Sequence, residues 1–293
     1  MPRRLSLYDV AAQRAAQVMV REYSTSFGMA TRLLAGTCRT DICNVYALVR
    51  LADEVVDGAA EEAGVAQTSA ARELLDDLER ETVTAMERGY STNLLVHAFA
   101  RTAREAGITA DLTAPFFASM RTDLEVTRHS EESLRTYIYG SAEVVGLMCL
   151  RVFLLDTPEA GRDERYERLT PGARALGAAF QKINFLRDLA DDSERLGRSY
   201  FVGVDPQHLT EAQKVAILDD IRADLRVAGA AVPDLPPSAR RAVLVATSLF
   251  AELTRRLAQT PAVEITRRRV RVPGPVKVRV AARALRSPAE VGA

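Results

Sequence analysis

The chain has no tryptophan, three cysteines and three histidines. Cys38, Cys43 and Cys149 form neither an even framework nor a CxxC pair, so they read as reduced thiols of a cytosolic protein. His97, His129 and His208 are scattered, and none stands at ligand spacing from a cysteine or another histidine, which argues against a zinc site. The 12 prolines and 16 glycines are few for an all-β chain. A charge excess is missing too. Lys plus Arg number 39 and Asp plus Glu number 39, so no net field argues for a nucleic-acid partner. Long apolar runs are absent. The most apolar stretch, VVGLMCLRVFLL at 144–155, is short and contains Arg151, which suits a buried helix better than a membrane span. The N-terminal MPRRLSLYDVAAQ has no apolar region of signal-peptide length, which argues against a secretory leader.

What remains is a soluble composition, 47% hydrophobic and 27% charged, able to bury a large core. Ala, Leu, Arg and Glu dominate and favour helix. Helical periodicity recurs over 8–22, 39–57, 69–88, 91–106, 111–126, 131–155, 171–195, 210–228 and 237–258. AAEEAGVAQTSA reads as a polar loop, and Pro158, Pro171, Pro206, Pro233, Pro236 and Pro237 read as punctuation between helices. No strand alternation, GxGxxG or P-loop is present, and no repeat or composition shift marks a boundary. The expectation is one all-α domain over 1–293, of roughly ten helices. Its C-terminal segment 266–286 is basic and carries no acid. The favoured reading is a solvated surface helix whose arginines pair with acids elsewhere. The alternative is attraction to anionic lipid headgroups.

Two acidic stripes stand out. On a helix at about 100° per residue, Gly177, Gln181, Asn184, Asp188 and Asp192 fall within roughly 80° of arc. In NVYALVRLADEVVDG, Tyr46, Arg50, Asp53 and Asp57 fall within roughly 60°. Carboxylates four apart repel by roughly 0.2–0.5 kcal/mol, so each pair needs solvent, arginine or a cation. A lone Dx3D usually marks a solvated face, as Asp76 and Asp77 do in a helix charged all round. Two copies on apolar helices, beside Arg50 and Arg187, point to Mg²⁺ shared with a diphosphate ester, because Mg²⁺ keeps few protein ligands and completes its shell with water and phosphate. The chemistry that follows is ionisation of that diphosphate.

YSTSFGMATRLL, VYALVRLADEVVD, MRTDL, YIYGSAEVVGLM, QKINFLRDLADD and RRVRVPGPVK, in this order from about Tyr23 to Arg283, resemble the squalene/phytoene synthases. LGRSYF and AEVVGLM are similar to the bacterial phytoene synthase branch. The resemblance implies a single helical bundle around a long hydrophobic cavity. It implies that Asp53, Asp57, Asp188 and Asp192, with Asn184, hold Mg²⁺, for which Mn²⁺ can substitute. Arg50, Arg187, Gln181 and Asn184 would support the diphosphates. Ser26 and Phe27 would belong to a flap over the substrate. Tyr137 and Tyr200 would approach the diphosphates or the cation, and Ala142, Val145 and Gly146 would line the prenyl channel. Thr25, Glu143, Val202 and Phe250 depart from the residues usual at these places, which bears on substrate and product more than on fold.

The implied reaction is head-to-head condensation of two geranylgeranyl diphosphates, through a cyclopropylcarbinyl diphosphate, to phytoene, with no need for NADPH. Farnesyl diphosphate as substrate would give dehydrosqualene or, with NADPH, squalene. A prenyl-diphosphate cyclase of similar build fits NFLRDLADD less well. A non-catalytic scaffold of the same fold fits poorly with aspartates at all four positions. The expected partners are prenyl diphosphates, with a peripheral membrane contact through the basic segment and no nucleic acid. The expected location is the cytoplasm.

Overall fold

The helices begin and end where local chemistry dictates. The computed structural model describes residues 4–65, 68–190 and 198–286. Two helices come first, α1 (Arg4–Tyr23) and α2 (Thr25–Thr31). Ser24 caps α2 by accepting from the Phe27 N–H. α3 (Gly36–Asp57) follows, then a single turn, α4 (Ala59–Glu62), within the expected loop. α5 (Thr68–Arg88) leads to α6 (Leu94–Ala106), capped by Asn93 and stopped by left-handed Gly107. α7 (Ala110–Glu125) precedes α8 (Glu131–Ile138), which opens with a Ser130–Ser133 capping box.

The expected helix 131–155 is not uniform. After α8 it widens into a π-turn at Tyr139–Glu143, resumes as α9 (Val144–Phe153) and tightens at Leu154–Asp156. A Cβ on Gly140 in that turn would collide with the Pro115 carbonyl of α7, so the widened backbone sits against a neighbour too close for a side chain. By length and composition Glu131–Asp156 could cross a membrane, but half of its apolar window is buried inside the bundle.

The next helix also differs. α10 runs Arg162–Arg187, so Pro171 lies inside it and does not start it. Pro171 and Glu167 are both on the exposed side, so water can satisfy the carbonyl that proline leaves unpaired. The expected end at 195 lies outside the described residues. α11 (Glu211–Ala231), α12 (Pro237–Gln259), α13 (Ala262–Ile265) and α14 (Gly274–Arg286) complete the chain. Among the described residues the only strand-like pairing is an isolated bridge between Arg128 and Ser199.

α3 runs through the principal core, where Ile42, Val45 and Leu48 meet Phe99, Phe116, Phe117 and Leu150. Each such buried side chain contributes about 1.5–3 kcal/mol. α10 lies along α11 and α12 over a second core of Ile183, Leu186, Leu218, Ile221, Leu253 and Leu257. α14 packs on α12 and buries Ala284. Only 274–286 of the basic segment is helical, and Arg268 and Arg269 before it pair with Glu264 and Asp188.

Candidate active site

Two helices bring their polar stripes to one end of an apolar cavity of about 520 Å³. α3 contributes Tyr46, Arg50, Asp53 and Asp57 to its wall, and α10 contributes Gln181, Asn184, Arg187 and Asp188. Phe27, Tyr137, Ala142, Val145, Gly146 and Tyr200 also border it, and Leu34, Leu176, Leu235 and Val243 continue the apolar lining. Ser26 lies on α2 beside Phe27, whose ring stacks on Tyr46 at 4.8 Å. Asp192 lies outside the described residues.

The small residues of the wall set helix spacing as well as room. A Cβ on Gly146 would meet the Ala173 carbonyl at 2.5 Å, and one on Gly177 would run into the Ala142 carbonyl. α10 therefore touches α9 at Gly146 and the π-turn before it at Ala142, backbone to backbone and closer than any side chain permits. Phe250 stacks face to face on Phe180 of α10 at 3.6 Å. Cys149 borders the cavity, and burial pushes its thiol up to about 12, so no thiolate nucleophile faces the cavity.

The arginines here are held by carboxylates. Arg50 pairs with Glu54 one turn on, reaches Asp53 only at 3.9 Å, and lies 4.5 Å over the Tyr23 ring. Glu54 also accepts from the Ala59 N–H, which ties the end of α3 to the next turn. Asp53 is left facing the cavity. Burial pushes its carboxyl up to about 7, with Arg50 opposing the rise and Asp57 adding to it. Asp188 caps α10, its N–H donating to the Asn184 carbonyl at 2.8 Å. Its carboxylate is gripped by Arg187, with Nε at 2.8 Å, and by Arg269 from the basic segment, also at 2.8 Å.

Tyr137 and Tyr200 join a polar cluster whose other members, Asp123 and Arg198, the sequence reading does not single out. Asp123 of α7 accepts hydrogen bonds from the Tyr137 hydroxyl at 2.7 Å and the Tyr200 hydroxyl at 3.3 Å. Arg198 bridges Asp57 at 2.6 Å and Asp123 at 3.9 Å. Burial is the main cause that pushes the Asp123 carboxyl up to about 7, against the pull of Arg198. Burial, reinforced by Asp123, also raises the Tyr137 and Tyr200 hydroxyls. One signal for Asp123 is present in the sequence. It falls seven residues after Phe116, on the apolar stripe of α7, where a carboxylate needs a partner.

The donor set suits a hard divalent cation. Asn184 Oδ1 is buried without a hydrogen-bond partner, and Asp53, Asp57 and Asp188 add carboxylate oxygens at the same end of the cavity. Among the described residues no three acidic or metal-binding side chains converge on one point. That is compatible with Mg²⁺, which needs one or two carboxylates and takes its other ligands from water and phosphate.

Carboxylates, arginines and amides of α3 and α10 thus meet an apolar cavity inside a helical bundle. Residues 20–275 match the model of the squalene/phytoene synthases, and the chain belongs to this family of prenyltransferases, which act on prenyl diphosphates. It is 30% identical to a phytoene synthase of Pseudescherichia vulneris over 253 residues, 78% of this chain and 77% of that protein. It is 29% identical over 221 residues to a 4,4'-diapophytoene synthase of Staphylococcus haemolyticus, 75% of this chain and 70% of that one. A 30% match to phytoene synthase 1 of Arabidopsis thaliana spans 68% of this chain but 45% of that protein. The fold is that of a dehydrosqualene synthase crystallised with a ligand, with a TM-score of 0.77 over 96% of this chain and 98% of that one, at 19% identity.

Proposed function

We propose that the chain condenses two geranylgeranyl diphosphates head to head to phytoene, with Mg²⁺ as the resident cation. The observation that carries this reading is the lining of the cavity, in which Arg50, Asp53, Asp57, Gln181, Asn184, Arg187 and Asp188, from the C-terminal halves of α3 and α10, meet an otherwise largely apolar wall. Asp53, Asp57, Asn184 and Asp188, with Asp192, would hold the cation, and Mn²⁺ could take its place. When bound, the cation supplies Lewis-acid stabilisation of the departing diphosphate.

This chain's own residues do the rest. Arg50 and Arg187 exchange their carboxylate partners for phosphate oxygens, and Gln181 donates beside them. Ala142, Val145 and Gly146 pass the prenyl chain and exclude water from the carbocations. Phe27 and Ser26 lie on the short helix that borders the charged end. The stacked rings of Tyr137, Phe185 and Tyr200 line the cavity, where aromatic rings stabilise positive charge. Two diphosphates leave and two protons are lost, one as the cyclopropylcarbinyl diphosphate forms and one after it ionises and rearranges, so the route to phytoene consumes no NADPH.

The related reading, condensation of two farnesyl diphosphates to dehydrosqualene or squalene, is favoured by the dehydrosqualene synthase fold match and the diapophytoene synthase relative. Incubation with Mg²⁺ and each prenyl diphosphate, with and without NADPH, followed by mass spectrometry of the extract, decides between them. A C40 hydrocarbon from the longer substrate supports phytoene synthesis. A C30 hydrocarbon as the main product overturns it.

A peripheral membrane contact belongs to the same proposal. α14 exposes Val278 between Lys277 and Arg279. Sedimentation with anionic vesicles at low salt supports the contact, and no sedimentation removes it.

A further inference from the structure

We infer that Asp123 is a positioning residue, which fixes the rings of Tyr137 and Tyr200 against the cavity for the second half of the reaction. This rests on the condensation proposed above.

The geometry comes from three parts of the chain. Asp123 lies on α7 with its side chain 4% exposed, Tyr137 on α8, and Tyr200 on the segment 198–201. That segment is stitched to the chain beyond α7, because the Ser199 N–H donates to the Thr127 carbonyl at 2.8 Å. The two oxygens of Asp123 are then divided. Oδ2 accepts from Tyr137, and Oδ1 accepts from Tyr200 and faces Arg198.

Each tyrosine spends its single hydroxyl proton on a different oxygen of Asp123. Both hydroxyls are thereby engaged, and neither ring can swing from its place without breaking a buried hydrogen bond. Phe185, 3.9 Å from Tyr200 and nearly parallel to it, and His129, stacked on Tyr200 at 5.8 Å and 5.1 Å from Tyr137, complete the stack. Arg198 joins the cluster to Asp57, so ring position and the charged end of the cavity are mechanically continuous. An asparagine at 123 keeps the volume but offers one acceptor oxygen for two hydroxyls.

The rings matter most after the first condensation. Ionising the cyclopropylcarbinyl diphosphate breaks its C–O bond, and the cation must rearrange, open and lose a proton before a nucleophile reaches it. Rings held in place favour this course. Loosened rings let water capture the cation and convert it to an alcohol.

The test compares Asp123→Asn, Tyr137→Phe, Tyr200→Phe and the triple variant, with Asp77→Asn on the exposed face of α5 as control. Far-ultraviolet circular dichroism checks the fold. The readouts are diphosphate released and hydrocarbon and alcohol formed. In Asp123→Asn the hydrocarbon rate is expected to fall ~10- to 100-fold with KM unchanged, and alcohols to rise per diphosphate released. Added to the double phenylalanine variant, Asp123→Asn should lower the rate by less than ~2-fold. An unchanged ratio of hydrocarbon to alcohol, or the same loss in the double-variant background as in wild type, overturns the inference. Wild-type protein that turns over neither prenyl diphosphate overturns the reaction itself, and with it the catalytic purpose of the rings. Ring fixation is then read alone by near-ultraviolet circular dichroism, which in a chain without tryptophan reports mainly its tyrosines. Loss of that signal in Asp123→Asn but not in Asp77→Asn keeps the positioning. Equal spectra remove it.

Discussion

Arg198 Nη1 lies 2.6 Å from Asp57 Oδ1 and joins two residues 141 positions apart. The same nitrogen faces Asp123, so one guanidinium offsets two carboxylates on different helices. Breaking a buried ion pair by removing one partner costs about 3–5 kcal/mol, and the 38% exposure of Asp57 moves the expectation to the low end. Arg198→Gln should therefore lose about 3 kcal/mol in urea unfolding. A loss below about 1 kcal/mol would place the pair among surface salt bridges.

Asp53→Asn and Asp188→Asn address the charged end directly. Each should reduce hydrocarbon formation by at least ~10²-fold, the scale on which removing one stabiliser of developing charge is felt. Helicity should be unchanged, because Asp53 forms only the 3.9 Å contact with Arg50 and Asp188 sits at a helix end. Full activity in both variants would remove these aspartates from the reaction.

Gly177→Ala tests the contact of the π-turn at Tyr139–Glu143 with α10. The added Cβ meets the Ala142 carbonyl, so the helices must part or the backbone must bend. Overpacking of this kind costs about 1–3 kcal/mol, and the displaced α10 carries Gln181 and Asn184 with it. Both Tm and turnover should fall. An unchanged Tm would mean that the helices separate freely.

The raised carboxyls of Asp53 and Asp123 make the metal-free fold sensitive to alkali. In the unfolded chain each ionises near its ordinary 3.8, whereas in the fold each holds its proton to about 7. Their contribution is fully present below 3.8 and is lost as the pH rises to about 7. Metal-free Tm should thus decline between pH 5 and 8, with the ends chosen roughly to bracket that loss. The Asp123→Asn variant should decline less. Added Mg²⁺, which takes the ionised form, should flatten the dependence. A metal-free Tm that rises over this range would contradict both shifts.

The fold and the polar stripes were largely legible because they are periodic. Asp53, Asp57, Gln181, Asn184 and Asp188 repeat at helical spacing on apolar helices, and local geometry alone puts each set on one face. Pro171 misled because proline breaks a helix only where its unpaired carbonyl lacks water, and on α10 that carbonyl faces solvent. Arg198 was hidden for another reason. Its partners, Asp57 and Asp123, are set by packing across the bundle, which no spacing encodes, whereas Arg50 and Glu54 stand at the i,i+4 spacing of one helix. The basic segment reads as a surface helix whose arginines pair with acids elsewhere, and Arg268 and Arg269 pair with Glu264 and Asp188. Charge balance along the sequence predicts that arginines find acids, not which acids they find.

Asp188 occupies the end of α10, where the peptide dipoles already concentrate negative charge and a cation is favoured. Arg187 and Arg269 meet that demand from within the chain. Under the proposed function, a divalent ion bound at Asp188 would have to displace them, and the two freed guanidiniums would need anions of their own. A diphosphate is such an anion. Ion and substrate would then be thermodynamically coupled ligands, each raising the affinity of the other by the same factor. Loading would be a partner exchange in which the guanidiniums trade a carboxylate for a phosphate.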